Sequence, residues 1–149
     1  MTTFTRLFRT TFVRPDRSET PQPIPDNKAI AMIVDDEPAI RGLMAMSLRQ
    51  CGYHVVEAAH GLAALDEAKR LQRVDLLIAD LDLQGVPGDH VAENLRRTFT
   101  EVPVVFTTEQ RRASYGQDPV MVKPFACGSL LKTVAETVGI TARPPRLAA

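Results

Sequence analysis

The chain has 149 residues, 44% of them apolar, and no net formal charge, which suits one domain with a real core and implies no general attraction to nucleic acid or an anionic membrane. No apolar run approaches the roughly 20 residues that span a bilayer. The N-terminus lacks the apolar core and small-residue cleavage pattern of a secretory signal, and Cys51 and Cys127 fit neither a CxxC nor a metal pattern, so a cytoplasmic protein with reduced thiols is expected.

Residues 1–27 read as a flexible N-terminal extension. Phe4, Leu7, Phe8 and Phe12 stand at helical spacing with Arg6, Arg9 and Arg14 among them, and Pro15, Pro21, Pro23 and Pro25 make the second half of the stretch stiff and extended. The stretch fits a disordered tail, or a basic amphipathic arm that folds on a partner or a membrane surface. It also has the Arg- and Thr-rich, acid-free look of a mitochondrial presequence up to Arg14.

From Lys28 onward strand and helix signals alternate. "AIAMIV" reads as a strand buried on both faces. Pro38 then opens a helix with Ile40, Leu43, Met44, Ser47 and Leu48 inward and its methionines as core filler, closed by Gly52. "YHVVEA" is a second strand. Gly61 opens a helix with Leu62, Leu65, Ala68 and Leu71 inward. "DLLIAD" is the third strand, followed from about Gly88 by a helix using Val91, Ala92, Leu95 and Phe99. "VPVVFT" is the fourth strand and "PVMV" a short fifth, with "EQRRASYGQDP" between them supplying a short helical turn at most. Gly128 and Ser129 cap a last helix carrying Leu130, Leu131, Val134 and Val138. The domain is expected over 28–139, with a short tail over 140–149.

Such alternation predicts a doubly wound α/β fold, a parallel sheet with helices on both faces. Right-handed crossovers gather the loops after each strand along one edge, where ligands bind. Asp35 and Asp36 follow the first strand, Asp80 and Asp82 the third, Thr107 and Thr108 the fourth and Lys123 the fifth. Carboxylates crowded in one crevice require a cation, and an all-oxygen set beside a phosphate-handling lysine and hydroxyl suits Mg2+. An aspartate beside Mg2+ can attack phosphorus to form an acyl phosphate. The constellation reads as phosphoryl transfer onto or through an aspartate. His54, His60 and His90 show no ligand spacing and read as surface or half-buried residues.

These residues carry a resemblance. "IVDDEP", "LLIADLDLQGVPG", "VPVVFTT" and "VKPF", in that order, make positions 28–139 similar to the receiver domain of two-component response regulators. The resemblance implies a flavodoxin-like five-stranded parallel sheet of order 2-1-3-4-5. It implies Asp80 as phosphoacceptor from a histidine kinase or histidine phosphotransfer protein, with Asp36 binding Mg2+ directly and Asp35 through water. The backbone carbonyl of Asp82 would be a further metal ligand, Thr108 the switch hydroxyl and Lys123 the contact to the phosphoryl group. The Lys123–Pro124 bond would be cis. Asp82 and Gln110 flank the phosphoryl position and are expected to affect the lifetime of the acyl phosphate. Output would pass through protein contact or phosphorelay, as from a stand-alone signalling protein rather than an enzyme, with the N-terminal arm as a candidate partner-binding part.

The sequence departs from the family pattern in places. Val120 stands where an aromatic switch residue is usual, Glu109 where a small residue is common, and Gln84 where proline is common. Only 14 residues separate Thr108 from Lys123, so the fourth helix is expected to be shortened or absent. Tyr115, the aromatic of that segment, reads as an exposed loop residue or a displaced switch residue. These departures leave open a phosphorylation-independent, receiver-like binding module. "DLDLQG" also resembles the DxD motif of haloacid dehalogenase-type phosphatases, but there the motif precedes the acidic pair, whereas here it comes some 45 residues after it.

Overall fold

The computed structural model describes residue 24, residues 27–111 and residues 114–141. Almost all of the N-terminal extension, and the tail beyond Thr141, lie outside the described residues, and so does the reading of residues 1–14 as an amphipathic arm. The elements in chain order are β1 (Ile30–Val34), α1 (Pro38–Gln50), β2 (His54–Ala58), α2 (Gly61–Ala68), β3 (Leu76–Asp80), α3 (Gly88–Thr98), β4 (Val104–Thr108), β5 (Ser114–Tyr115), β6 (Asp118–Val122) and α4 (Cys127–Thr141).

The sheet order is β2-β1-β3-β4-β6-β5. The first five strands in that order pair in parallel. This is the doubly wound sheet expected from the alternation, in the flavodoxin-like order that the resemblance implies, with β6 as the fifth parallel strand. β1, β3 and β4 are buried along their whole length, which is why they read as unbroken apolar runs. Alternate residues serve opposite faces. Met32, Val34, Leu77, Ala79 and Phe106 pack with α2 and α3 through Ala64, Val91 and Leu95. Ala31, Ile33, Leu76, Ile78 and Val105 pack with α1 and α4 through Met44, Leu48, Leu130 and Val134. Burial of each such large side chain contributes about 1.5–3 kcal/mol.

Between β4 and β6 the described residues hold no helix, in line with the expectation of a shortened or absent one, but the strand found there and the inward faces of two helices need correction. Ser114 and Tyr115 instead form an antiparallel edge strand against Pro119 and Asp118. Gly116, at φ +62, allows the tight reversal between them, and an interval of 14 residues is too short for loop, helix and strand together. On α2 the buried residues are Gly61, Ala64 and Ala68, while Leu62 is 59% exposed. The helix ends after eight residues and lies close on the sheet through its small side chains, so its larger leucines sit at the margin. On α1, Leu43 and Met46 are exposed, and Ala45 takes an inward place. Met46 is therefore not core filler.

Candidate functional site

The carboxyl ends of β1, β3, β4 and β6 meet at one edge of the sheet. Asp35 follows β1 and is fully buried. Its Oδ1 accepts the Glu37 amide at 2.8 Å, and its carbonyl accepts from Arg41 Nη1 at 2.8 Å. Asp80 closes β3, almost fully buried, and its Oδ1 accepts the amide of Asp82 at 2.8 Å. Gly88, the first residue of α3, explains how this strand end fits: a Cβ there would lie 2.2 Å from the Asp80 carbonyl oxygen. Only a glycine lets α3 start so close to the phosphoacceptor position.

Lys123, at the end of β6, reaches back across the crevice. Its Nζ lies 2.9 Å from Asp80 Oδ2, 2.9 Å from Asp35 Oδ2 and 3.3 Å from Glu37 Oε1. Burial pulls the lysine pKa down, but the hydrogen bond to Asp80 and the close contacts with the charges of Asp35 and Asp80 outweigh it, so the net shift is upward. The ammonium is therefore fixed in its charged form. The Lys123–Pro124 peptide is cis, as expected.

Carboxylate oxygens of Asp35, Asp36 and Asp80 lie within 4.8 Å of one another. Asp35 Oδ2 is buried and has no directed hydrogen bond, its approach to Lys123 being an ionic contact. A buried carboxylate oxygen with an unused lone pair, beside an exposed Asp36 and the Asp80 carboxylate, fits a hard divalent cation.

Thr107 and Thr108 divide as neighbours on a strand must. Thr107 is completely buried and its hydroxyl makes no hydrogen bond. Thr108 Oγ1 donates to Asp82 Oδ2 at 2.9 Å and accepts the Gln110 amide at 3.1 Å. The same Asp82 oxygen accepts the Glu109 amide at 3.0 Å. The Glu109 side chain is exposed and stays out of the crevice.

Two site-bordering residues escaped the sequence reading. Glu37 joins the Lys123 cluster; its signal was the third acid of "DDEP". Asp89, on the first turn of α3, accepts the Tyr115 hydroxyl at 2.7 Å. Tyr115 itself is no loose loop residue: its ring meets Phe106 edge-on at 5.3 Å between centroids. It walls a recess of about 270 Å3 that also holds Asp82, Thr108 and Gln110. Nothing in the local sequence signals an α3-to-hairpin pairing, because the partners are 26 residues apart. His60 does have a structural task, accepting the Ala63 amide as the N-cap of α2.

Comparison with known proteins decides the family. The response regulator receiver domain matches residues 31–138. The chain belongs to that family. Among curated relatives, this receiver is 32% identical over 126 residues to the DNA-binding dual master transcriptional regulator RpaA of Synechocystis, covering 78% of the chain and 52% of the relative. The chain thus spans about half the length of the first curated relatives it matches. Among solved structures, it is similar to the chemotaxis response regulator CheY4 of Vibrio cholerae, with 27% identity, a TM-score of 0.66, and coverage of 74% of this chain and 98% of that one. It is likewise similar to the response regulator TrrA of Thermotoga maritima, solved in complex with Mg2+ and BeF, at 27% identity, TM-score 0.64, and coverage of 73% and 98%. Family membership sets aside the dehalogenase-type phosphatase reading. The receiver is a signalling domain of two-component systems. Among its described residues no helix is long and apolar enough to cross a membrane.

Proposed function

We propose that this protein is a cytoplasmic phosphoacceptor, with residues 28–139 as its receiver unit. Asp80 takes a phosphoryl group from a histidine kinase or a histidine phosphotransfer protein. The observation that carries the reading is the buried cluster in which Lys123 bridges Asp80 and Asp35 at 2.9 Å, with a carboxylate oxygen of the exposed Asp36 within 4.8 Å of theirs. A carboxylate oxygen of Asp80 attacks phosphorus, the bond from phosphorus to the donor's histidine nitrogen breaks, and the leaving imidazole takes a proton from solvent. Lys123 is already held charged and loses one carboxylate contact as it gains a phosphoryl oxygen. The amide of Asp82 holds the other Asp80 oxygen and orients the nucleophile. Thr108 offers a hydroxyl to the product.

Asp35, Asp36, Asp80 and the Asp82 carbonyl are the residues that would hold Mg2+. Bound there, the ion supplies positive charge for the transferring phosphoryl oxygens. Output passes by protein contact or onward phosphotransfer, with the N-terminal arm as the candidate partner-binding part and no direct contact with nucleic acid. The protein's own chemistry is confined to taking up and losing the phosphoryl group.

Intact-protein mass after incubation with acetyl phosphate and Mg2+ tests the reading. A single phosphoryl adduct is expected, absent from Asp80→Asn and from the metal-free sample. A folded protein with no adduct in excess Mg2+ would favour the second reading, a phosphate-independent binding module. One observation supports that alternative: Thr108 and the Glu109 amide are already satisfied by Asp82.

A further inference from the structure

Two donors from the end of β4 converge on one oxygen. The Thr108 hydroxyl and the Glu109 amide lie 2.9 and 3.0 Å from Asp82 Oδ2. Because the Thr108 oxygen accepts the Gln110 amide at 3.1 Å, its own proton is directed at the carboxylate. A hydroxyl and an amide aimed together at an anionic oxygen form a seat for any oxyanion. The seat stands at the same edge of the sheet as the phosphoacceptor. Asp80 is the register partner of Thr107, one residue before the seat begins, and Asp80 and Asp82 are tied by the Asp82 amide.

Resting on the phosphoacceptor reading of Asp80, we propose that the Asp82 carboxylate is an internal competitor for the incoming phosphoryl group. In the unmodified protein it occupies the seat that a phosphoryl oxygen on Asp80 requires. A phosphoryl group brings a charge of about −1.5 to −2, and it cannot share two donors with a carboxylate. Phosphorylation therefore expels Asp82 from Thr108 and Glu109, and unmodified Asp82 lowers the affinity for phosphoryl oxygens by the fraction of time it holds the seat. Expulsion also frees a carboxylate at the recess shared with Gln110 and Tyr115, so the surface that changes is the one beside the β5–β6 hairpin. Asp82 acts through the seat and is a positioning residue.

The test uses the full chain with Mg2+ and beryllofluoride, followed by 19F NMR. The proteins are wild type, Asp82→Asn, Asp82→Ala, Asp80→Asn and Glu93→Gln. Competition predicts about three- to tenfold tighter beryllofluoride binding by Asp82→Ala and a smaller gain by Asp82→Asn, whose amide oxygen is a weaker occupant. Glu93→Gln removes an exposed charge on α3 outside the seat and should leave affinity within about twofold. The Glu109 amide resonance should move in free Asp82→Ala. In wild type it should move on beryllofluoride binding to the position it holds in liganded Asp82→Ala. Unchanged or weaker binding by both Asp82 variants overturns the proposal, as does an equal gain from Glu93→Gln, which would make the effect one of general charge. If neither wild type nor the Asp82 variants bind, or if Asp80→Asn binds as well as wild type, the phosphoacceptor reading itself fails and the competitor with it.

Discussion

Lys123 is 5% exposed at its side chain and stands between carboxylates that would otherwise repel one another. Its contribution is largest for Asp35, which is wholly buried and whose carboxylate makes no other ion pair among the described residues. Replacing it in Lys123→Met should destabilise the metal-free protein by roughly 3 kcal/mol, the cost of an uncompensated buried charge. Mg2+ should recover more stability in this variant than in wild type, and urea unfolding followed by circular dichroism, with chelator and with Mg2+, measures both. The pH dependence comes from the direction of the lysine shift. A group whose folded pKa lies above its ordinary 10.5 contributes fully below that value and loses its contribution as pH rises through the folded pKa. Wild-type stability should therefore fall at alkaline pH beyond the ordinary lysine range, with that part of the fall missing in Lys123→Met. "VKPF" marked Lys123 from sequence, and the resemblance implied its contact with the acceptor carboxylate; its contacts with Asp35 and Glu37 did not follow from spacing, because they lie far from it in the chain.

At the scale of elements, the contact between α3 and β3 sets the phosphoacceptor. Gly88→Ala drives a methyl group into the Asp80 carbonyl, 2.2 Å from where its Cβ would stand. A loss of about 1–3 kcal/mol is expected from such overpacking, together with a reduced yield of phosphoryl adduct because Asp80 must shift. Gly139→Ala, in α4 with nothing within 4 Å of the added carbon, should instead gain about 0.5–1 kcal/mol from helix propensity. Denaturant unfolding of the pair separates close approach from backbone entropy, and equal effects would remove the role given to Gly88. Elsewhere α3 is tied to β6 by a bidentate bridge from Arg96 to Asp118, at 2.8 and 2.7 Å. That bridge and the Tyr115–Asp89 bond hold the hairpin against α3 on the side where the expected fourth helix is missing.

For the molecule as a whole, an ion that binds only the folded site stabilises the entire domain by mass action. At a Mg2+ concentration roughly 100 times its dissociation constant the gain is about 2.7 kcal/mol. Melting temperature should rise with Mg2+ in wild type and much less in Asp36→Asn, while metal-free Asp36→Asn should be at least as stable as wild type because one like charge has left the cluster. A wild-type melting temperature indifferent to Mg2+ would count against the metal site. This linkage requires a scaffold that does not deform, and the fully buried β1, β3 and β4 supply it.

The order of the sheet came from the resemblance of the motifs to receiver domains; the sequence by itself determined the alternation of strands and helices, the apolar runs of the central strands and the edge at which Asp35, Asp36, Asp80, Thr108 and Lys123 gather. These rest on periodicity, on the handedness of crossovers and on short motifs, all of which are local properties or general rules. It also foretold that no full helix fits before Lys123, since 14 residues set a length limit. Only the tertiary structure decided what fills that interval, because the β5–β6 hairpin is held by Phe106, Asp89 and Arg96 from elements distant in sequence. The same holds for the outward turn of Leu62 and Met46, which depends on how closely each helix approaches the sheet. It holds most clearly for Asp82, whose backbone role was suggested by its place two residues after Asp80. Its side chain is bound by Thr108 and Glu109, 26 and 27 residues away, and a hydrogen bond across that interval exists only once β3 and β4 have paired.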